Sequence, residues 1–314
     1  MRVLCFTNMY PTEREPWIGT FVRELVEDVR ALGIDVDVLA FDGRGRKRAY
    51  AEAAISLRRA LRGSRFDLVH AHYGLTGMVA LAQRRIPTIV TFHGSDTGYV
   101  RWQGWVSWFV ARLTTQVFVS RDGARRLGRP HAAVIPAGVD LELFRPRSRA
   151  EARNALGWPE HGRFLLLPGS RGNRRKNAPL FDAVVAELRR NVPEQLTPVS
   201  LEGLSREQTA DVMNAVDATL MTSLFEGSPV AVKEALACLT PVVSVPVGDM
   251  TELVGDLPGC AIAPASPRPL ADAVLRAFEH GRDPALRQRA EQYSAKRTAQ
   301  NVVALYRELA GGRL

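Results

Sequence analysis

Two glutamates, Glu226 and Glu234, have the types and spacing that best suggest chemistry in this sequence. They lie in the string FEGSPVAVKEALA, on either side of a Gly-Ser-Pro turn that is typical of a helix start. Backbone N–H groups in that turn would be unpaired at the positive end of the helix, ready for a sugar hydroxyl or a phosphate oxygen. Glu234 could accept hydrogen bonds from a ribose diol. The candidate donor-binding residues of this segment are Gly227, Ser228, Pro229, Val230 and Glu234.

The spacing of the two glutamates argues against a glycosidase acid and base. The helical rise between them places the carboxylates on the order of 10 Å apart, whereas a retaining hydrolase needs about 5 Å. Two carboxylates that hold different parts of one long ligand are the simpler interpretation. A capped helix with two solvated glutamates is the alternative for an isolated pair of this kind.

A basic loop precedes this segment in the string LLLPGSRGNRRKN, where a strand leads into two glycines and four cations. Phosphates bind in loops after strands in this class of fold, and a planar guanidinium with a compact ammonium suits a diphosphate that gains charge as it leaves. A solvated basic loop accounts for the pattern equally well. The cations are Arg171, Arg174, Arg175 and Lys176, and composition does not decide which arginine binds phosphate.

The N-terminal half offers weaker candidates. His93, in TFHGSD, follows the carboxyl end of a strand, where a lone histidine is more often structural than catalytic. Gly19 and Thr20 are candidate ligand-binding residues at the start of the first helix, where Gly19 would let the backbone approach a phosphate and Thr20 is expected to cap the helix.

Two further patterns resemble metal sites, and neither is expected to bind a metal. Asp35 and Asp37 form a D-x-D at the start of an alternating strand, on an element ahead of the expected ligand site. His70 and His72 alternate along a strand and are predicted to face opposite ways, which makes them an unlikely pair of ligands.

An aromatic stripe of Trp102, Trp105 and Trp108, with Phe109 beside it, follows helical spacing. Packing against a sheet is the favoured interpretation. The alternatives are an acceptor platform and an interfacial contact with a lipid carrier, because tryptophan suits half-wet surfaces.

The elements that must position these residues alternate between strand and helix, which predicts α/β architecture with parallel sheets. A turn-rich connector, VIPAGVDLELFRP, separates two such series. We therefore predict two Rossmann-like domains facing each other across a cleft, with ligands at the carboxyl ends of the strands. The predicted bounds are 1–144 for an N-terminal Rossmann-like domain, 145–293 for a C-terminal Rossmann-like domain, and 294–314 for a C-terminal helix that crosses back.

The composition fits a cytoplasmic protein of 314 residues, since neither a signal-peptide pattern nor a membrane-spanning apolar run occurs. The net charge of +9 is compatible with phosphorylated ligands, nucleic acid or an anionic membrane face. Nucleic acid is disfavoured as a partner, because the arginines are scattered and no nucleic-acid-binding motif is present. The three cysteines, widely spaced, indicate neither a disulfide framework nor a zinc site.

Taken together, these strings resemble the retaining glycosyltransferases of family 4, also called glycosyl transferases group 1, which have the GT-B fold. The resemblance spans almost the whole chain and looks closest to enzymes of cell-wall, capsular and exopolysaccharide assembly. It implies that residues 1–144 form the acceptor domain and residues 145–293 the nucleotide-sugar donor domain. It implies that Glu226 contacts the transferred sugar and that Glu234 holds the ribose hydroxyls. The other residue roles it implies are diphosphate binding for Arg171 and Lys176, approach of Gly19 from the other domain, and a place for His93 near the anomeric centre.

The resemblance also implies a hexosyl transfer with retained anomeric configuration, no required metal and no cofactor besides the nucleotide-sugar substrate. Same-face substitution is preferred, because no enzyme nucleophile is evident. The expected acceptor is a saccharide, a lipid-linked glycan or a small molecule, with a peripheral contact at the inner membrane face as a further expectation. A sugar-nucleotide epimerase or a nucleotide-sugar binding protein of the same fold is the alternative.

Overall fold

The computed structural model describes residues 1–15, 18–44, 46–190 and 195–311. Its chain forms two units, Met1–Gly138 with Ala295–Leu314, and Val139–Ser294. The second unit begins before the predicted boundary at residue 144, because Val139 and Phe144 are both buried in its core. The connector after Gly138 therefore belongs to the C-terminal core.

The N-terminal unit is built on a sheet of six parallel strands in the order β2-β1-β3-β4-β5-β6. Its strands are β1 Arg2–Thr7, β2 Asp35–Ala40, β3 Leu68–His72, β4 Thr88–Phe92, β5 Thr115–Phe118 and β6 Ala133–Val134. Its first helices are α1 Thr20–Ala31, α2 Lys47–Gly63, α3 Gly74–Ala80, α4 Arg101–Leu113 and α5 Arg121–Arg126. Strand β3 is buried along its whole length, as expected for a central parallel strand covered on both faces.

The C-terminal unit repeats this plan with five parallel strands in the order β11-β10-β9-β7-β8. Its strands are β7 Arg163–Leu167, β8 Leu196–Ser200, β9 Ala218–Met221, β10 Val242–Ser244 and β11 Ala261–Ile262. Its helices are α6 Arg149–Ala155, α7 Ala178–Leu188, α8 Arg206–Ala215, α9 Val230–Ala237, α10 Met250–Val254, α11 Pro267–His280 and α12 Pro284–Glu291. The loops that follow β7 and β9 carry the basic string and the glutamate string, so neighbouring strands bring the two together.

The last helix, α13 Ala295–Gly311, belongs to the N-terminal unit. Its buried side chains Ala299, Val302, Val303 and Tyr306 complete the core that α1 forms on one face of the first sheet. Among the described residues, no helix is both long and apolar enough to cross a membrane.

Candidate active site

Both glutamates of the glutamate string are buried, so the alternative of two solvated side chains is wrong. Glu226 is 5% exposed and Glu234 is 2% exposed. Helix α9 begins directly after Pro229, and no side chain caps its first turn. A buried carboxylate needs charged or hydrogen-bonding partners, and the two glutamates find different ones.

Glu226 is paired with the basic loop. The Lys176 ammonium donates to Glu226 Oε1 at 2.8 Å, the Ser223 hydroxyl donates to the same oxygen at 2.8 Å, and the Arg175 guanidinium lies 3.9 Å from Oε2. Burial alone would raise the pKa of Glu226, but Lys176 and Arg175 outweigh it and hold the pKa below its ordinary value. The carboxylate is therefore charged at neutral pH.

Lys176 is fixed in this position by the strand that precedes it and by the glutamate loop. The Thr222 hydroxyl donates to the Lys176 carbonyl at 2.8 Å, and the Lys176 side chain crosses Gly169 so closely that a Cβ there would lie 2.6 Å from its Cε. Gly169 is therefore required because the lysine stem passes against its backbone. Lys176 is itself 8% exposed.

Arg171 lies apart from this pair. Its guanidinium makes two 2.7 Å hydrogen bonds to the Asp182 carboxylate, its backbone N–H donates to Glu202, and the side chain is exposed. The hydrogen bonds that Arg171 donates to Asp182 raise the pKa of Arg171 above its ordinary value. Of these two arginines, Arg175 therefore lies near Glu226, whereas Arg171 is bound to Asp182 on α7.

Glu234 is paired with Arg206, a residue that the sequence did not identify. The Arg206 guanidinium lies 2.7 Å from Glu234 Oε1 and 4.8 Å over the centre of the Phe144 ring. Arg206 begins α8 after the Ser205 capping box, which explains the helix start and gives no indication of the partner. The ion pair links α8 to α9.

A second group that the sequence did not identify supports the loop before α9. Lys233 is fully buried and donates to the Ser228 hydroxyl at 2.7 Å, and Ser228 in turn bonds the Asp249 side chain. Burial lowers the pKa of Lys233 to about 8 and raises that of Asp249 to about 6. The Ser228 hydroxyl is therefore engaged inside the protein.

The backbone of the loop before α9 is also held by the segment PVGDM, residues 246–250. The Asp249 N–H donates to the Gly227 carbonyl at 3.2 Å. Gly248 has a φ of 56°, and a Cβ at this position would lie 2.5 Å from the Gly227 oxygen. The segment PVGDM thus fixes the orientation of the N–H groups at the start of α9, since only glycine fits at residue 248.

In the N-terminal unit, His93 belongs to a cluster of three histidines. His93 Nε2 lies 3.1 Å from His72 Nδ1, and His70 lies between the Tyr306 and Thr91 hydroxyls at 2.6 and 2.7 Å. The prediction that His70 and His72 face opposite ways is wrong: residues two apart on a strand share a face, and the ring centroids are 4.4 Å apart. Sequence spacing alone was sufficient to reveal this.

The histidines are neutral at physiological pH. Burial lowers the pKa of His72 to about 4, and it holds the pKa values of His70 and His93 well below the ordinary value. The loop after His93 is shaped by buried Asp96, which accepts backbone N–H bonds from Gly74, His93 and Gly94. His93 can therefore offer a neutral hydrogen bond to a hydroxyl.

The start of α1 depends on Gly19 rather than on Thr20. Gly19 is the N-cap with a φ of 68°, and a Cβ there would collide with the Met9 carbonyl. The expected cap by Thr20 is wrong, because Thr20 is the first helical residue and no side chain caps the helix. Glycine is needed here for its left-handed backbone and for lack of space.

The aspartates of the D-x-D pattern pair with an arginine, and the aromatic stripe is exposed. Asp35 and Asp37 lie 3.4 and 2.6 Å from the Arg2 guanidinium. Among the residues that the structure describes, no group of three or more His, Cys, Asp or Glu side chains could hold a metal ion. The packing predicted for the aromatic stripe is wrong, because Trp102, Trp105 and Phe109 are 57%, 69% and 46% exposed.

Comparisons with known proteins agree along most of the chain. Residues 18–143 match the family model described as Glycosyltransferase Family 4, and residues 169–280 match Glycosyl transferases group 1. A protein of Bacillus subtilis named for teichuronic acid biosynthesis, the glycosyltransferase TuaC, is 24% identical over 89% of this chain and 90% of its own. The D-inositol 3-phosphate glycosyltransferase of Saccharomonospora viridis is 28% identical over 77% of this chain and 70% of its own.

Solved structures share the fold. Sucrose-phosphate synthase from Thermosynechococcus elongatus has a TM-score of 0.79 at 18% identity, covering 99% of this chain and 100% of its own. Anabaena HepE, in complex with UDP, has a TM-score of 0.71 at 16% identity, covering 98% of this chain and 100% of its own.

Proposed function

The chain belongs to glycosyltransferase family 4 and has the GT-B fold, and from this premise we propose the reaction that it catalyses. It transfers a hexose from a nucleotide-diphosphate donor to an acceptor hydroxyl, with retained anomeric configuration and no metal ion. The acceptor is a saccharide, a lipid-linked glycan or a small molecule. The glycosyltransferase class follows from the family, and the finer statements are the proposal.

The observation that carries the proposal is the buried pair of Lys176 and Glu226 beside the start of α9. The ammonium and the carboxylate are 2.8 Å apart. A nucleotide sugar offers each of them a partner of the right kind, a diphosphate for the ammonium and sugar hydroxyls for the carboxylate. The backbone N–H groups before α9 add donors to the same place.

Roles for the remaining residues follow from their partners. Glu234 takes the ribose hydroxyls, and Arg206 orients its carboxylate. The Arg171 guanidinium reaches the diphosphate only by leaving Asp182, so Arg175 shares this role in the proposal. His93 supplies a neutral hydrogen bond to the sugar, and Gly19 lets the backbone approach the phosphate.

The proposed chemistry is positioning and electrostatic stabilisation. The acceptor oxygen forms a bond to the anomeric carbon on the face from which the diphosphate departs, and a leaving phosphate oxygen takes the acceptor proton. Charge that develops on the diphosphate is stabilised by Lys176, Arg175 and the positive end of α9. No covalent intermediate is required.

The test begins with identification of the donor by thermal shift against UDP, GDP, ADP and TDP sugars. A saturating ligand at about a hundred times its dissociation constant stabilises the protein by about 2.7 kcal/mol. UDP-glucose is a suitable first donor, because HepE has been solved with it.

The identified donor, labelled in its sugar, is then incubated with candidate acceptors in the presence of EDTA. Retained configuration of the product, measured by proton coupling at the anomeric carbon, supports the proposal. An inverted product, or activity abolished by EDTA and restored by a divalent metal, would contradict it. Release of an epimerised sugar without any acceptor would favour the epimerase.

A further inference from the structure

Helix α4 exposes large apolar side chains that form a continuous stripe. They recur at steps of three and four residues, which places them on one side of the helix. We define the α4 aromatic surface as Trp102, Trp105, Trp108, Phe109 and Leu113, whose exposed fractions are 57%, 69%, 38%, 46% and 50%.

The opposite face of α4 explains why these side chains point outward. The residues that α4 buries are Gly104, Ser107, Val110 and Ala111, which are small or of moderate size and face α3 and the core. A Cβ at Gly104 would lie 2.8 Å from the Gly98 backbone. The helix therefore packs through its smallest residues, and the largest ones have no place in the core.

The charges around this surface are positive. The sequence of α4, RWQGWVSWFVARL, contains two arginines and no acidic residue. The Arg112 guanidinium lies 3.2 Å over the centre of the Trp108 ring. Arg112 also lines a groove of about 610 Å³ with Arg84 and Leu113, so cationic and apolar groups meet at the end of the stripe.

Scattered apolar side chains on a surface are ordinary, but a contiguous patch of them indicates a binding surface. Exposed Ile55 and Leu224 are the scattered kind, since Ile55 lies on α2 and Leu224 lies in the loop after β9. Tryptophan prefers the boundary between water and apolar chains. Arginine is attracted to anionic lipid headgroups. The α4 aromatic surface combines both residue types.

We propose that the α4 aromatic surface docks the protein on an anionic lipid bilayer. The aromatic rings lie at headgroup depth, and Arg101, Arg112 and Arg84 contact lipid phosphates. A second copy of the chain fits less well as the partner. A symmetric contact through this surface would place the arginines of the two copies opposite one another, where their charges repel. The inference deepens the proposed function by naming a surface near which the enzyme works, although the docking itself does not require sugar transfer.

The experiment measures binding of the full chain to vesicles of phosphatidylcholine, with and without phosphatidylglycerol, by flotation. We expect binding only to the anionic vesicles, and we expect it to weaken as salt is raised from roughly 0.1 M to 1 M, because screening shortens the reach of surface charges. The double variant Trp102→Ser/Trp105→Ser should bind about tenfold more weakly or worse. The matched control is Ile55→Ser, which removes an apolar side chain that is 58% exposed outside the surface.

Variants that remove a positive charge test whether the arginines contact lipid phosphates. Arg101→Gln and Arg112→Gln should each weaken binding about fivefold, given about 1 kcal/mol per arginine near an anionic surface. Arg59→Gln, an exposed position on α2, is the matched control and should change little. Thermal melts confirm folding of each variant.

Three results would overturn the proposal. The tryptophan variant could bind vesicles as the parent does, neutral vesicles could bind as well as anionic ones, or sedimentation could show a dimer that the tryptophan variant dissociates. Donor binding by thermal shift is measured on the same variants and should not change. A failure of sugar transfer with intact vesicle binding would refute the proposed function and leave the docking surface standing.

Discussion

The two units bury polar groups in opposite ways. In the C-terminal unit, Lys176 and Glu226 are buried as a pair of full charges 2.8 Å apart. In the N-terminal unit, His72 and His93 are buried 3.1 Å apart as neutral rings. A buried ion is tolerated when an opposite ion accompanies it, whereas a buried titratable group without one gives up its charge.

This difference matches the two halves of the proposed reaction. A diphosphate donor carries charge and needs cations, which the loops after β7 and β9 supply. Sugar and acceptor hydroxyls are neutral and need hydrogen bonds without charge, which His93 can give. Four predictions test this contrast, beginning with the one that should produce the largest effect.

Breaking the buried pair should strongly destabilise the C-terminal unit. Lys176→Met leaves the Glu226 carboxylate buried without its closest cation, and we expect a loss of about 3–5 kcal/mol in the free energy of unfolding. Urea denaturation provides the measurement. The double variant Lys176→Met/Glu226→Gln should recover most of that loss, since neither charge then remains.

The matched control is Arg174→Met on the same turn, where the side chain is exposed and the change should stay within about 0.5 kcal/mol. Equal stability of Lys176→Met and the parent would mean that the pair is not a buried ion pair in solution.

The histidine cluster should make the N-terminal unit sensitive to acid. His72 has a folded pKa of about 4, below its ordinary value of 6.5. As the pH falls from 6.5 to 4, His72 takes up a proton in the unfolded chain but stays neutral in the folded chain. The folded state therefore loses stability. For His72 alone the loss is on the order of 3 kcal/mol between pH 6.5 and 4.

Asp96 and Asp249 act in the opposite direction, because burial raises the pKa of each to about 6 and favours the folded state in acid. The measurement therefore compares the pH dependence of the unfolding free energy between a variant and the parent. Urea denaturation of His72→Gln across pH 4 to 7 should show a flatter pH dependence than the parent. His280→Gln, at a residue on the surface, should show none of this flattening. If plots of unfolding free energy against pH are parallel for His72→Gln and the parent, the histidines are not buried in their neutral form.

Turnover should fall on the order of a hundredfold in Lys176→Ala at saturating donor, with a smaller change in donor affinity. The physical reason is that the ammonium interacts more strongly with the departing diphosphate than with the bound donor. Turnover is compared with donor affinity from calorimetry, and Lys296→Ala, at an exposed lysine on α13, serves as the control. Lys176→Arg should not restore the rate, because a planar fork differs from a point charge in reach.

Near-normal turnover of Lys176→Ala would assign leaving-group stabilisation to Arg171 or Arg175. Turnover of the Arg171→Ala and Arg175→Ala variants then shows whether the exposed Arg171, bound to Asp182, or Arg175, near Glu226, has this role.

The fourth prediction concerns Glu234. Glu234→Ala should weaken donor binding by about 1.5–3 kcal/mol for each ribose hydrogen bond lost, and a 2′,3′-dideoxy donor should then lose nothing further. Calorimetry with both donors gives the result. Glu207→Ala, at an exposed glutamate in the first turn of α8, is the control. If Glu234→Ala still discriminates against the dideoxy donor, another residue holds the ribose.

Local patterns in the sequence were sufficient for much of the fold. The alternation of strands and helices predicted two parallel sheets, and Pro229 marked the start of α9, because these features depend on neighbours within a few residues. Strand β8 is hard to predict from the sequence, since Pro198 weakens the strand pattern. A proline is tolerated there because β8 lies at the edge of its sheet, where one side of the backbone needs no partner strand.

The sequence by itself determined which residue types reach the carboxyl ends of the strands. Only the tertiary structure decided which of them meet. Lys176 and Glu226 are separated by 50 positions in the chain, and their contact exists because β7 and β9 are neighbours in the sheet. The exposure of Trp105 was likewise decided by packing, since α4 has two faces of helical spacing and its small residues fit closer to the core. Spacing along a helix identifies a face, whereas the free energy of packing selects the face that is buried.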